Sequence, residues 1–130
     1  KNKKKYSKNL LNLLRSSDAI IVNIPLENNY NFIDYKKLIK CKKNVIIINT
    51  SRALIFNQID LFLILKRFKY IEYWTDVYES NFSKNNLFNK LIKLKNFFQT
   101  PHIGGATQDA MRTAEKIVFE KLKIKLNVIK

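Results

Sequence analysis

The sequence is poor in glycine, proline, cysteine, histidine and acidic residues, and each shortage closes off a class of protein. Two glycines, both at 104–105, cannot build a Gly-x-Gly-x-x-Gly phosphate turn, whose tight bend and close backbone approach need three. Two prolines and a 46% hydrophobic content exclude a proline-rich or polar disordered tail. One cysteine, Cys41, excludes a disulfide framework and a thiolate zinc site. No apolar run approaches the ~18 residues that a membrane-spanning helix requires. Ten acidic residues stand against 25 Lys and Arg, for a net charge of +15 and a pI near 10.0. At 130 residues one domain is expected, burying about two-thirds of its unfolded surface.

What is abundant is Lys, Asn and Ile, at 21, 16 and 17 residues. All three share A/T-rich codons, so drift of base composition would raise them together and yield a basic chain without a nucleic-acid role. The lysines are scattered through KKLIKCKK, LKRFK, NKLIKLK and EKLKIKLNVIK and are not gathered with glycines and aromatics. Nucleic acid is therefore not the expected partner, although dispersed charge still gives salt-sensitive, non-specific binding. The chain begins with Lys1, and KNKKKYSKN leads into no apolar leader core. With the single cysteine, this points to a cytoplasmic protein and to a fragment or processed chain.

Hydrophobic periodicity divides the chain into alternating elements. Leu10, Leu11, Leu13 and Leu14 predict a short helix ending near Ser16–Ser17. AIIVNIPL (19–26) is a continuous apolar run of the kind found in parallel strands buried on both faces. Helical spacing returns at 32–42, a strand at 44–50, a helix at 57–68 and a strand at 70–78. Residues 80–95 read as a loop passing into a helix, 96–100 as a fourth strand, and 107–126 as one long helix. Thr107 is its expected cap, and Ala110, Ala114, Ile117, Val118 and Leu122 its apolar face. Trp74, the phenylalanines and Cys41 are expected in the core. This alternation is the pattern of an α/β domain with a parallel sheet.

Ligands of open α/β sheets bind outside the carboxyl ends of the strands. Those ends read Asn23-Ile24-Pro25, Asn49-Thr50-Ser51-Arg52, Thr75-Asp76-Val77-Tyr78 and Thr100-Pro101-His102-Ile103-Gly104-Gly105. The only histidine and both glycines fall at the fourth end. Arg52 directly follows a strand, so its guanidinium can clamp a carboxylate; alone, it could equally be a surface arginine. Asp76 can serve a ligand or brace a turn.

NTSRALIFNQIDL, TDVYES and TPHIGGATQDA resemble, in order and spacing, the signature segments of the D-isomer-specific 2-hydroxyacid dehydrogenases, with the flavour of the 3-phosphoglycerate dehydrogenase branch. SSDAIIVNIPL matches the preceding family strand, so the likeness runs from about Leu10 to Leu126. The resemblance implies an α/β fold that is the second half of a Rossmann-type, doubly wound parallel sheet, ending in a long helix. The Gly-rich first half and the substrate domain are not among these residues. It implies NAD(P)-linked oxidation of a small 2-hydroxy acid or reduction of a 2-oxo acid, within a homo-oligomer. Arg52 would hold the substrate carboxylate and His102 would move the proton on the substrate oxygen. Asp76 would meet the nicotinamide carboxamide, with Ile24, Pro25, Thr50, Ser51, Gly104 and Gly105 lining the cofactor.

Several positions depart from the pattern. The glutamate that partners the histidine falls at Asn81, followed by Phe82 in place of Pro. An amide can orient His102 but cannot raise its pKa as a carboxylate does, and one unit is worth about 1.4 kcal/mol. Ala53 stands where a glycine follows the arginine, Asn57 where an acid opens the next helix, and Lys43-Asn44 where Pro-Gly turns into the second strand. A catalytically degraded enzyme, or an interaction module of the same fold, is the alternative expectation.

Overall fold

The computed structural model describes residues 9–79, 86–105 and 107–128. They fall into two compact units, residues 1–100 and 101–130. In the first, α1 (Leu10–Ser16) leads to β1 (Ala19–Val22), α2 (Tyr35–Leu38), β2 (Ile46–Asn49) and a 3-10 turn (Ala53–Ile55). Next come α3 (Gln58–Arg67), β3 (Glu72–Thr75), α4 (Asn86–Leu91) and β4 (Phe97–Gln99). The second unit contains α5 (Gln108–Val128).

Side chains just ahead of α1, α2, α3 and α5 set where those helices start. Asn9 accepts hydrogen bonds from the Leu11 and Asn12 amides at 3.0 and 3.3 Å. Asp34 caps α2 through the Lys37 amide at 3.0 Å, and Asn57 caps α3 through the Asp60 amide at 3.1 Å. Thr107 caps α5 as expected, accepting from the Ala110 amide at 3.1 Å. Each satisfies a helix-terminal N–H that has no partner within the helix. The cap at Asn57 explains one departure, because asparagine and an acid are nearly equivalent there.

The elements follow the predicted order, with shorter bounds except in α5, which runs on to Val128. β1 stops at Val22 because the chain turns away toward Pro25, which has no N–H to give a ladder. α2 is a single turn within the predicted 32–42. Ile33 is held instead in a parallel bridge to Phe56, and Lys40 and Cys41 bond three residues back, to the Lys37 and Leu38 carbonyls.

The strands form one parallel sheet in the order β1-β2-β3-β4. Each strand pairs with the next in sequence, and right-handed crossovers made in one direction leave every connecting helix on the same face. That face holds the core. Ile20, Val22, Ile47 and Tyr73 pack against Leu14, Leu38, Leu61, Ile64, Leu65 and Leu91. The opposite face carries Ile21, Ile48, Trp74 and Phe98 in register across all four strands. Ile21 is 69% exposed and Trp74 43%. The expectation of strands buried on both faces, with Trp74 in the core, is therefore corrected. Two-sided cover needs a reversal of strand order, and these four strands contain none.

The phenylalanines divide similarly. Phe56 and Phe97 are buried, whereas Phe119 on α5 is 58% exposed. The expected apolar face of α5 is largely open, with Ile117, Val118 and Leu122 exposed. Cys41 packs half-buried at the core margin, and burial pushes its thiol up to about 11. It is thus a poor nucleophile near neutral pH. No helix among the described residues is long and apolar enough to cross a membrane.

Candidate functional site

Parallel pairing brings the carboxyl ends of all four strands to one edge, and a run of polar side chains stitches them together there. Asn49, at the end of β2, is fully buried. Its amide donates to the Arg52 carbonyl and the Tyr73 hydroxyl, both at 3.0 Å, and its oxygen accepts from the Ser51 amide at 3.1 Å. This fixes the turn that delivers Ser51 and Arg52. The Ser51 hydroxyl donates to the Ile24 carbonyl, tying β2 to the end of β1.

On the other side, Thr75 Oγ1 lies 3.2 Å from the Asn49 carbonyl and accepts from the Val77 amide at 3.1 Å. The Asp76 amide donates to the Asn49 carbonyl at 3.2 Å, and the Thr100 amide to the Thr75 carbonyl at 3.0 Å. The Thr100 hydroxyl donates to the Asp76 carboxylate. Every strand end is thus bonded to its neighbour beyond the regular ladder.

Of the residues expected to act, Ile24, Pro25, Thr50, Ser51, Arg52 and Asp76 share this edge of the first unit. Arg52 is exposed, with extended backbone and Nη1 donating to the Ser51 carbonyl at 2.8 Å. Ala53 is buried and begins the 3-10 turn at negative φ, so the backbone there does not call for glycine. Lys43-Asn44 likewise turns without positive φ, closed by the Val45 amide on the Lys42 carbonyl at 3.3 Å.

His102, Gly104 and Gly105 open the second unit. His102 is exposed and has φ of 57°, in the left-handed region that favours glycine. Neither glycine has positive φ, and a Cβ at Gly105 would meet nothing within 4 Å. The unusual backbone at this turn therefore belongs to the histidine. Asn81 lies outside the described residues.

Asn49, Thr75 and Thr100 were not singled out from sequence, although they organise the edge. Their signal is a polar residue ending an apolar strand. Tyr73 was also missed; it is fully enclosed beneath Asn49, and desolvation pushes its phenol up to about 12 against the opposing hydrogen bonds from Asn49 and Thr75.

A parallel sheet whose carboxyl edge presents a cation, hydroxyls and a carboxylate belongs to the nucleotide-binding α/β class. The family model described as "D-isomer specific 2-hydroxyacid dehydrogenase, NAD binding domain" matches residues 1–104. The chain belongs to that family, within its NAD-binding domain. It is 36% identical over 111 residues to a glyoxylate reductase from Thermococcus litoralis, covering 85% of this chain and 33% of that protein. It is 32% identical over 112 residues to a D-3-phosphoglycerate dehydrogenase from Methanocaldococcus jannaschii, covering 85% of this chain and 21% of that one. The crystal structure of D-lactate dehydrogenase with NAD+ from Lactobacillus jensenii shares the fold, at a TM-score of 0.73 and 20% identity, over 91% of this chain and 42% of that one. The chain therefore spans a third or less of the two curated relatives named.

Proposed function

We propose that these residues are the second half of the NAD-binding domain of a longer oxidoreductase, which moves a hydride between nicotinamide and a 2-hydroxy or 2-oxo acid. The carrying observation is the stitched strand edge, where Arg52 and Asp76 emerge from adjacent parallel strands. The donor set suits the nicotinamide end of the cofactor: apolar Ile24 and Pro25, the Thr50 and Ser51 hydroxyls, and the Asp76 carboxylate. Ser51 and Asp76 are already oriented by Ile24 and Thr100. Bound NAD supplies or accepts the hydride.

Arg52 holds the substrate carboxylate in a two-pronged grip and draws charge toward the reacting carbonyl. His102 gives a proton to the substrate oxygen during reduction and removes it during oxidation. Asp76 would accept from the nicotinamide carboxamide, and Gly104 and Gly105 would line the cofactor. The rest of the site, including the glycine-rich pyrophosphate turn, comes from residues outside these 130, and the working enzyme is a homo-oligomer.

The test is NADH consumption by full-length protein offered glyoxylate, hydroxypyruvate, pyruvate or 2-oxoglutarate. Arg52→Ala should lower kcat/KM about 10- to 100-fold, the worth of a charged hydrogen bond. His102→Ala should cost about 10²- to 10⁴-fold in kcat, the range for general acid–base catalysis. No turnover with any of the four acids would overturn the reading.

Asn81 favours a second reading, a catalytically degraded member that serves as a binding module. Turnover appearing only in Asn81→Glu would establish it.

A further inference from the structure

We propose that the amino edge of the sheet, opposite the strand ends described above, is a docking surface for single-stranded nucleic acid, which in a cell is chiefly RNA. The stretches leading into β2, β3 and β4 (residues 39–45, 66–71 and 90–96), which take in the ends of α3 and α4, carry nine Lys and Arg and no carboxylate. The connections leaving β1, β2 and β3 (residues 23–34, 50–57 and 76–85) carry two cations in sequence, Arg52 and Lys84, and four carboxylates. The charge that looks scattered in the sequence is therefore segregated in the fold.

Parallel topology does the gathering. The helices between the strands, α2, α3 and α4, run against them and deliver their last turns, with the following connections, to the same edge. Neighbouring strands lie about 4.8 Å apart, so three adjacent strand starts concentrate these cations within roughly 10 Å along the edge. Of the nearest acids, Asp18 neutralises one of the nine, Lys42, at 2.7 Å, whereas Glu72 accepts the Trp74 indole N–H at 2.9 Å.

Two other accounts of the lysines explain less. Codon drift accounts for their number and not for their placement. Helix dipoles favour cations in the last turn, which covers Lys66, Arg67 and Lys90. Lys43, Lys69, Lys93 and Lys95 lie beyond the helices and are exposed.

An aromatic ring selects the kind of polyanion. Tyr70, beside Lys69 at the centre of the edge, is 81% exposed. A basic track with an open ring suits a strand whose bases are free to stack, since every base has a face to offer. A duplex, whose bases are already stacked, would not use that ring in this way, and an anionic membrane would engage it without stacking.

The test measures binding of a 20-nucleotide oligo(U) to full-length protein across a salt series. Affinity should fall with salt, with a slope of about −0.7 per phosphate contacted. Reversing four of the exposed lysines together (Lys43→Glu, Lys69→Glu, Lys93→Glu and Lys95→Glu) should weaken binding at least ~30-fold at ~50 mM salt. The same number of reversals on α5 (Lys116→Glu, Lys121→Glu, Lys123→Glu and Lys125→Glu) should cost less than ~3-fold. Should circular dichroism find the first variant unfolded, glutamine at the same four positions replaces it, with a ~10-fold loss expected. Tyr70→Ala should weaken oligo(U) binding about 5- to 10-fold and leave duplex binding unchanged. Equal losses in the edge and α5 variants would overturn the proposal, by tracing binding to overall charge. So would no binding of oligo(U) at ~50 mM salt, or capture of phosphatidylserine vesicles in its place.

Discussion

The two faces of this sheet are made from the same strands and nearly the same residue types, yet they are treated differently. On the helix-covered face Ile20, Ile47 and Tyr73 are 8, 1 and 2% exposed; on the other, Ile21, Ile46 and Trp74 are 69, 39 and 43% exposed. Hydrophobicity alone does not decide burial here. The direction in which the strands succeed one another decides it, because three like-handed crossovers can cover only one side.

The sharpest way to break this contrast is to truncate the same residue type on each face. Ile47→Ala should destabilise by about 2–5 kcal/mol, through lost transfer energy and the cavity left in the core. A loss under about 1 kcal/mol in denaturant unfolding would mean that the covered face is loosely packed.

Alkali probes the same face through Tyr73. Its phenol ionises near 10.0 when unfolded and is pushed up to about 12 by burial. The folded-state value is the higher, so the stabilisation is complete below pH 10 and is lost as pH rises toward about 12. Two units correspond to about 2–3 kcal/mol. Phenolate absorbance should show one of the six tyrosines ionising late and together with unfolding; early ionisation of all six would contradict its enclosure.

A smaller effect should come from the cover. Asn57→Ala removes the cap of α3 and should cost about 1 kcal/mol, whereas Asn57→Asp should be nearly neutral. Least of all, Ile21→Thr on the open face should move stability by no more than about 0.5 kcal/mol in either direction. A loss as large as that of Ile47→Ala would show that something covers this face in solution.

The element order and the strand ends were legible because apolar runs and helical spacing are local properties. The one-sided burial was not, since AIIVNIPL and NVIIINT read alike whether helices lie on one face or on both. The place of Ile24, Ser51, Arg52 and Asp76 at the carboxyl edge was legible because they follow apolar runs closely. Asn49, Thr75 and Thr100 escaped because each works through a bond to a residue about 25 positions away or more, or through a partner on the next strand. The segregation of the lysines escaped for a related reason: sequence spacing says nothing about which end of a sheet a connection reaches.

The stitching at the carboxyl edge has a dynamic consequence. The amides of Ser51, Asp76, Val77 and Thr100 each donate to an atom of Asn49 or Thr75. A shift of Asn49 loosens the first two and a shift of Thr75 the last two, and the bond from Thr75 Oγ1 to the Asn49 carbonyl couples the pairs. Such amides exchange with solvent as one cooperative unit. A molecule gripping a single strand end would therefore slow deuterium uptake at all four positions, and the edge would register its ligand as one body.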